Sequence, residues 1–166
     1  FLALSDVAAR ALTGEPPDRE GYRKNPGMRD YYMFFVDSYA ARALAVACDL
    51  TGRERYWDAC RIWSDRMLRH QERMIPRGAY YMNYHRKPGE SQGEWFVADC
   101  GSIAMGVLAT AARSKDKALR QRYLDSVRAY LRLVVDNFVS DSGGVTDGYF
   151  NKWDKEWWCS SALFAA

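Results

Sequence analysis

Along the chain, apolar and polar residues recur with a helical period in two successive blocks. The first opens on FFVDSYAARALAVACDL, residues 34–50, which is apolar or small apart from Asp37, Ser38, Arg42 and Asp49 and stops at Thr51-Gly52. A run with so little polar face, ended by a glycine, predicts a buried helix with a left-handed stop. The segment from Glu54 to Glu72 then sets Tyr56, Trp57, Cys60, Ile62, Trp63, Met67 and Leu68 at helical intervals among Arg, Asp and Glu. That pattern predicts an amphipathic helix with one wet face.

After a stretch broken by Pro76, Gly78, Pro88, Gly89 and Gly93, the same grammar returns. Ala98 to Ala112 is small and apolar, the connector SKDK follows, and Leu119 to Val139 is amphipathic. Superposing Asp37 on Asp99 (99 − 37 = 62) lays Phe35-Val36-Asp37 over the Phe96 to Asp99 stretch and Leu44 to Ala47 over Gly106 to Ala109. Each inner helix runs into a short polar turn and an outer helix carrying a tyrosine, Tyr56 or Tyr123. Leu2 to Leu12 reads as the outer helix of an earlier hairpin, and a third copy opens at Trp157-Trp158-Cys159. Units of this kind stack and bury a shared core.

Short turns on one side alternate with loops of about two dozen residues on the other, unlike tetratricopeptide-like solenoids, whose connections are short on both sides. We therefore expect an all-α fold, helical hairpins of an α/α toroid forming a single partial domain over residues 1–166, about half of a full barrel. The start at Phe1 and the stop at Ala166, within an apolar helical pattern, read as a piece of a longer chain. Loops gathered on one side of a rigid scaffold are where function sits.

Composition narrows the classes. Hydrophobic residues at 48% and charged residues at 27% are ordinary for a globular protein, whereas six Trp and eleven Tyr are many. Such aromatics either pack large helices together or offer flat faces to sugar rings or bases. The net charge is +3 and the basic residues are spread out, so no nucleic-acid footprint is visible. No apolar run approaches the roughly 20 residues of a membrane span, and no signal peptide is recognisable. Cys48, Cys60, Cys100 and Cys159 lie far apart with no zinc-ligand spacing. They read as buried free thiols of a reducing, cytoplasmic compartment, with a Cys48–Cys60 disulfide, and periplasmic or secreted locations, as alternatives. P-loop, Rossmann, GxSxG and HExxH motifs are absent, and DSGGVTDG lacks the ligand pattern of a calcium hand. No metal or cofactor is called for.

The candidate chemistry lies at the start of the inner helices. Asp37 and Asp99 stand near the openings of helices otherwise almost devoid of charge. One reading is an acid that stabilises a helix N-terminus; the other is a pair of carboxyls brought together by equivalent places in successive repeats. Trp95, Phe96 and Val97 flank Asp99, an apolar setting expected to raise its pKa towards that of a general acid. Asp30, in MRDYYM, competes with Asp37 for the second place. The loop GAYYMNYHRKPGESQGEW carries Tyr80, Tyr81, Asn83, Tyr84, His85, Arg86 and Trp95, either as a β-like excursion packed on the helices or as the wall of a sugar site. Trp153, Trp157 and Trp158 cluster in the second long loop, as a packed corner or another stacking face. His70 reads as a surface or capping residue.

On these residues the chain resembles the six-hairpin glycosidase superfamily, most closely its unsaturated glucuronyl and rhamnogalacturonyl hydrolases. The likeness spans Asp30 to Ala166 and rests on VADCGSIAMGVLATAAR, CDLTGRERYWDAC and EWWCSSALFAA. It implies an oligosaccharide substrate and hydration of a 4,5-unsaturated uronic acid at its end. Asp99 would be the acid/base and Asp37 its partner, with Trp95, Tyr81, Tyr84, His85, Arg86, Trp153 and Trp157 binding substrate. Val36 stands where the glucuronyl hydrolases usually carry a histidine before the first aspartate. Two alternatives stay open. A polysaccharide lyase on the same fold would use Asn83, Tyr84 and His85, and a non-catalytic helical-repeat protein would bind a glycan or a protein through its loops.

Overall fold

The computed structural model describes residues 2–14, 34–81, 95–146 and 148–149. They form five helices, α1 (Leu2–Thr13), α2 (Phe34–Thr51), α3 (Glu54–Gln71), α4 (Val97–Arg113) and α5 (Lys117–Asn137). Two short strands, β1 (Trp95–Phe96) and β2 (Gly148–Tyr149), pair antiparallel. The fold of the described residues is all-α, and each helix ends within two residues of where the hydrophobic period places it. None of these helices is long and apolar enough to cross a membrane.

Side-chain contacts order the helices into two layers. In the inner layer α2 and α4 run parallel, because their contacts advance together: Ser38 meets Ser102 at 2.6 Å, Arg42 meets Met105, and Arg113 holds Asp49. In the outer layer α1, α3 and α5 also run parallel. The Tyr56 hydroxyl donates to Asp6 at 2.9 Å, Arg66 donates to the Gly14 carbonyl, and the Tyr123 hydroxyl donates to Asp65 at 2.9 Å. Helix α1 thus lies in one layer with α3 and α5 and runs in their direction.

The repeat is exact enough to number. Arg55-Tyr56 and Arg122-Tyr123 each reach an aspartate on the preceding outer helix, Asp6 and Asp65 respectively. The offset between them (123 − 56 = 67) carries the buried Tyr56, Ala59, Cys60, Trp63 and Met67 onto the buried Tyr123, Ser126, Val127, Tyr130 and Val134. Relative to the inner-helix offset, five residues are added (67 − 62 = 5). One lies in the connector and four form an extra first turn of α5.

Packing fixes where the layers meet. Trp63 is fully buried against α4, and a Cβ at Gly106 would lie 2.7 Å from its ring and 3.3 Å from the Ser38 Cβ. Glycine is what lets α2, α3 and α4 converge there. Ser64 and Leu68 are buried, with Ser64 donating to Thr110 at 2.9 Å, whereas their counterparts Leu131 and Val135 are exposed because no described helix lies beyond α5. On the far edge of the inner layer, Val36, Tyr39, Val46 and Leu50 form a second exposed stripe, at the three- and four-residue spacing of one helix face.

Candidate functional site

The two long connections converge on the N-terminal end of α4. After α3 the chain turns through the cis Ile75–Pro76 bond, and Gly78, at φ 97, presses against the Ala129 carbonyl of α5. Gln71 spans the gap by donating to the carbonyls of Gly78 at 2.9 Å and Ser126 at 3.1 Å. Ser126 gives its proton to the Gln71 side-chain oxygen at 2.6 Å, so the Tyr80 hydroxyl donates to Ser126 at 2.8 Å. Nearby, Tyr130 donates to the Val97 carbonyl at 2.7 Å and the Cys100 thiol to the Tyr80 carbonyl at 3.3 Å.

This network is buried and neutral. Burial pushes the Tyr80 and Tyr130 phenols and the Cys100 thiol well above their ordinary values, and the nearby Asp99 carboxylate adds to the rise at Cys100 and Tyr130. Satisfied polar groups in a low-dielectric interior hold one arrangement. They form a fixed platform under the start of α4. Over it, β1 pairs with β2 in the register Trp95↔Tyr149 and Phe96↔Gly148, which stitches the first long loop to the second. The Val139↔Val145 bridge, closed around Gly143 at φ 84, prepares that second loop.

Asp37 occupies the first turn of α2 and Asp99 the first turn of α4, so the two stand in neighbouring helix ends of the inner layer. Both are half-buried at the positive end of a helix dipole. Asp37 shares a helix face with Ala41 and Leu44, and Asp99 shares one with Ile103 and Gly106, all buried. The carboxylates therefore cap the buried faces and lie off the exposed stripe. Tyr81 leaves the platform half-buried, its ring 5.2 Å from that of His70. Trp95 pairs through its backbone in β1. Asp30, Asn83, Tyr84, His85, Arg86, Trp153, Trp157 and Trp158 lie outside the described residues, as does Cys159.

His70 stands in the last turn of α3 as a half-buried ring against Tyr81. Burial first, and then the charges of Arg66, Arg69 and Arg73, lower its pKa to about 4, so it is a neutral imidazole at pH 7. It lies three residues after Met67 and seven after Trp63, on the edge of the buried face. The thiols of Cys48, Cys60 and Cys100 are free, and burial pushes Cys60 up to about 12.

Two further clefts lie elsewhere. One, of about 550 Å³, sits at the short-turn end, where Asp49, Glu54 and Asp116 face Arg61, Arg113 and Lys115 around Trp57. Its charges balance, and Arg113 holds the Asp49 carboxyl below its usual range. The other, of about 300 Å³, lies between α1 and α3 beside Asp6, Arg10 and Arg55. Among the described residues no group of three or more His, Cys, Asp or Glu is placed to hold a metal ion. Compared with protein-family models, with curated proteins and with solved structures, the chain has no match.

Proposed function

We propose that this chain is part of an α/α-toroid glycoside hydrolase that removes an unsaturated uronic acid from an oligosaccharide by acid/base-catalysed hydration. The observation that supports the reading is the standing of Asp37 and Asp99 in the first turns of adjacent parallel helices, at the end where both long loops meet. Helices packed about 8–10 Å apart set such groups at the range of paired-carboxylate glycosidases. Asp99 delivers a proton to one carbon of the enol-ether double bond and then assists water onto the other, while Asp37 orients that water. The sum is addition of water across the double bond, giving a hemiketal that collapses and releases the sugar. A placed acid/base contributes about 10²- to 10⁴-fold. In this reading Trp95 and Tyr81, with Tyr84, His85, Arg86, Trp153 and Trp157, are the residues that bind substrate, and the site of action is cytoplasmic.

A second reading is favoured by the faces the carboxylates share with Leu44 and Ile103. Here both acids stabilise helix ends in a non-catalytic scaffold that binds through its loops. Turnover separates the two. Incubated with unsaturated uronic-acid disaccharides, the hydrolase bleaches the ultraviolet absorbance of the double bond, and Asp99→Asn abolishes the bleaching while leaving the melting transition in place. An unchanged absorbance together with a lowered melting temperature in Asp99→Asn establishes the scaffold instead.

A further inference from the structure

The inner helix α2 carries a single basic side chain, Arg42. Arg42, like Arg69 and Arg132, is in none of the ion pairs among the described residues, which are made by Arg55, Arg61, Arg113, Arg122 and Arg128. What sets it apart is burial of a donor. Its Nη1 points at the Met105 sulfur at 3.7 Å, a weak acceptor, and its Nε is buried with no acceptor at all. The guanidinium carbon lies over the Tyr39 ring, 4.7 Å from its centre, and Tyr39 itself is 52% exposed. Of the other acids on α2, Asp49 is taken by Arg113 and Asp37 stands on the face of Ala41 and Leu44.

A desolvated guanidinium donor without an acceptor is costly, and such groups are rare without a reason. A guanidinium carries its N–H groups in a fork that a carboxylate matches with two parallel bonds. The flanking surface is apolar, with Val46 one turn on and Val36 one turn before Tyr39. We propose that Arg42 and Tyr39 form a docking point for the carboxylate of a small ligand lying along the exposed face of α2. The guanidinium edge takes the carboxylate oxygens once the flexible Met105 thioether swings aside, and the exposed part of the Tyr39 ring flanks the body of the ligand. Nothing in this arrangement depends on hydrolysis.

The test is a titration of the nitrogen-labelled chain with glucuronate, glucose and acetate, read at the Arg42 Nε–H resonance. Glucuronate and acetate are expected to move it downfield and glucose to leave it in place, and a stronger response to glucuronate than to acetate identifies a sugar acid over a bare carboxylate. Arg42→Gln should weaken glucuronate binding by about tenfold or more, as loss of a charge-assisted pair predicts. Tyr39→Leu, at an exposed position, should weaken it by less. Equal responses to glucose and glucuronate, or a folded Arg42→Gln chain with unchanged affinity, overturn the proposal. Should Arg42→Gln fail to fold, unchanged glucuronate affinity in Tyr39→Leu overturns it. Self-association that Arg42→Gln abolishes, with no response to any carboxylate, also overturns it. Glucuronate binding retained in a chain without turnover supports the docking point and removes only the hydrolase reading.

Discussion

The hairpins α2–α3 and α4–α5 share five buried positions of their outer helices but close their turns with different chemistry. In the first, Gly52 adopts φ 65 to end α2, Thr51 caps the Ala47 carbonyl at 2.6 Å, and Arg53 stands before α3 without a side-chain cap. In the second, Asp116 accepts the backbone N–H groups of Ala118 and Leu119 and so starts α5 a full turn earlier. What the two share is the pairing of an arginine and a buried tyrosine with an aspartate on the preceding outer helix. Register thus follows from the buried contacts between units, and the turn is free to vary.

The inner helices offer the sharpest way to break the likeness. Leu44 of α2 superposes on Gly106 of α4, yet the Trp63 ring leaves no room for a side chain at the latter. Gly106→Leu, which makes the two units alike in sequence, is expected to destabilise the chain by about 3 kcal/mol, seen as a lower denaturant midpoint. A midpoint equal to that of the parent would show that α4 stands off Trp63.

Exchanging the turns should have a smaller effect. Asp116→Ala removes a cap and is expected to cost about 1 kcal/mol, whereas Arg53→Ser supplies the first hairpin with one and should add about 0.5 kcal/mol. Thermal unfolding of the two variants checks both signs, and a stabilising Asp116→Ala would refute the cap.

The smallest difference concerns pH. His70 of α3 falls in the outer-helix register on Asn137 of α5, which donates to the Leu133 carbonyl and does not titrate. The folded-state pKa of His70, about 4, lies below its ordinary value of 6.5, so the unfolded chain takes up the proton first as pH falls. The contribution of His70 is whole above pH 6.5 and is lost between there and about pH 4. His70→Asn, which copies the second hairpin, should flatten the fall in melting temperature over that window. An equally steep fall would assign it to other groups.

Much of this fold was legible in the chain, because a buried helix face repeats every three or four residues whatever lies against it. That is why the bounds of α1 to α5 and the paired Tyr56 and Tyr123 could be read directly. Their partners could not. Asp6 and Asp65 look like any surface acid until the layers are assembled, and Gly106 reads as one more small residue until Trp63 is laid against it. Strands of two residues such as β1 and β2 carry no alternation to detect. Of the candidate site, the places of Asp37 and Asp99 at helix starts were visible, but not that their faces run on into Leu44 and Ile103. Arg42 stood out only as a charge in an apolar run, since a missing partner is a property of three dimensions.

The arginine–tyrosine pairing gives the outer layer a direction. Each unit reaches back with a cation and a hydroxyl and offers forward a carboxylate, as a chain of hooks and eyes does. The series changes at α5, because Arg132 occupies the position that Asp65 holds in α3 (132 − 65 = 67). A helix seated on α5 at that level meets a guanidinium in place of a carboxylate, so it cannot attach by the same hook.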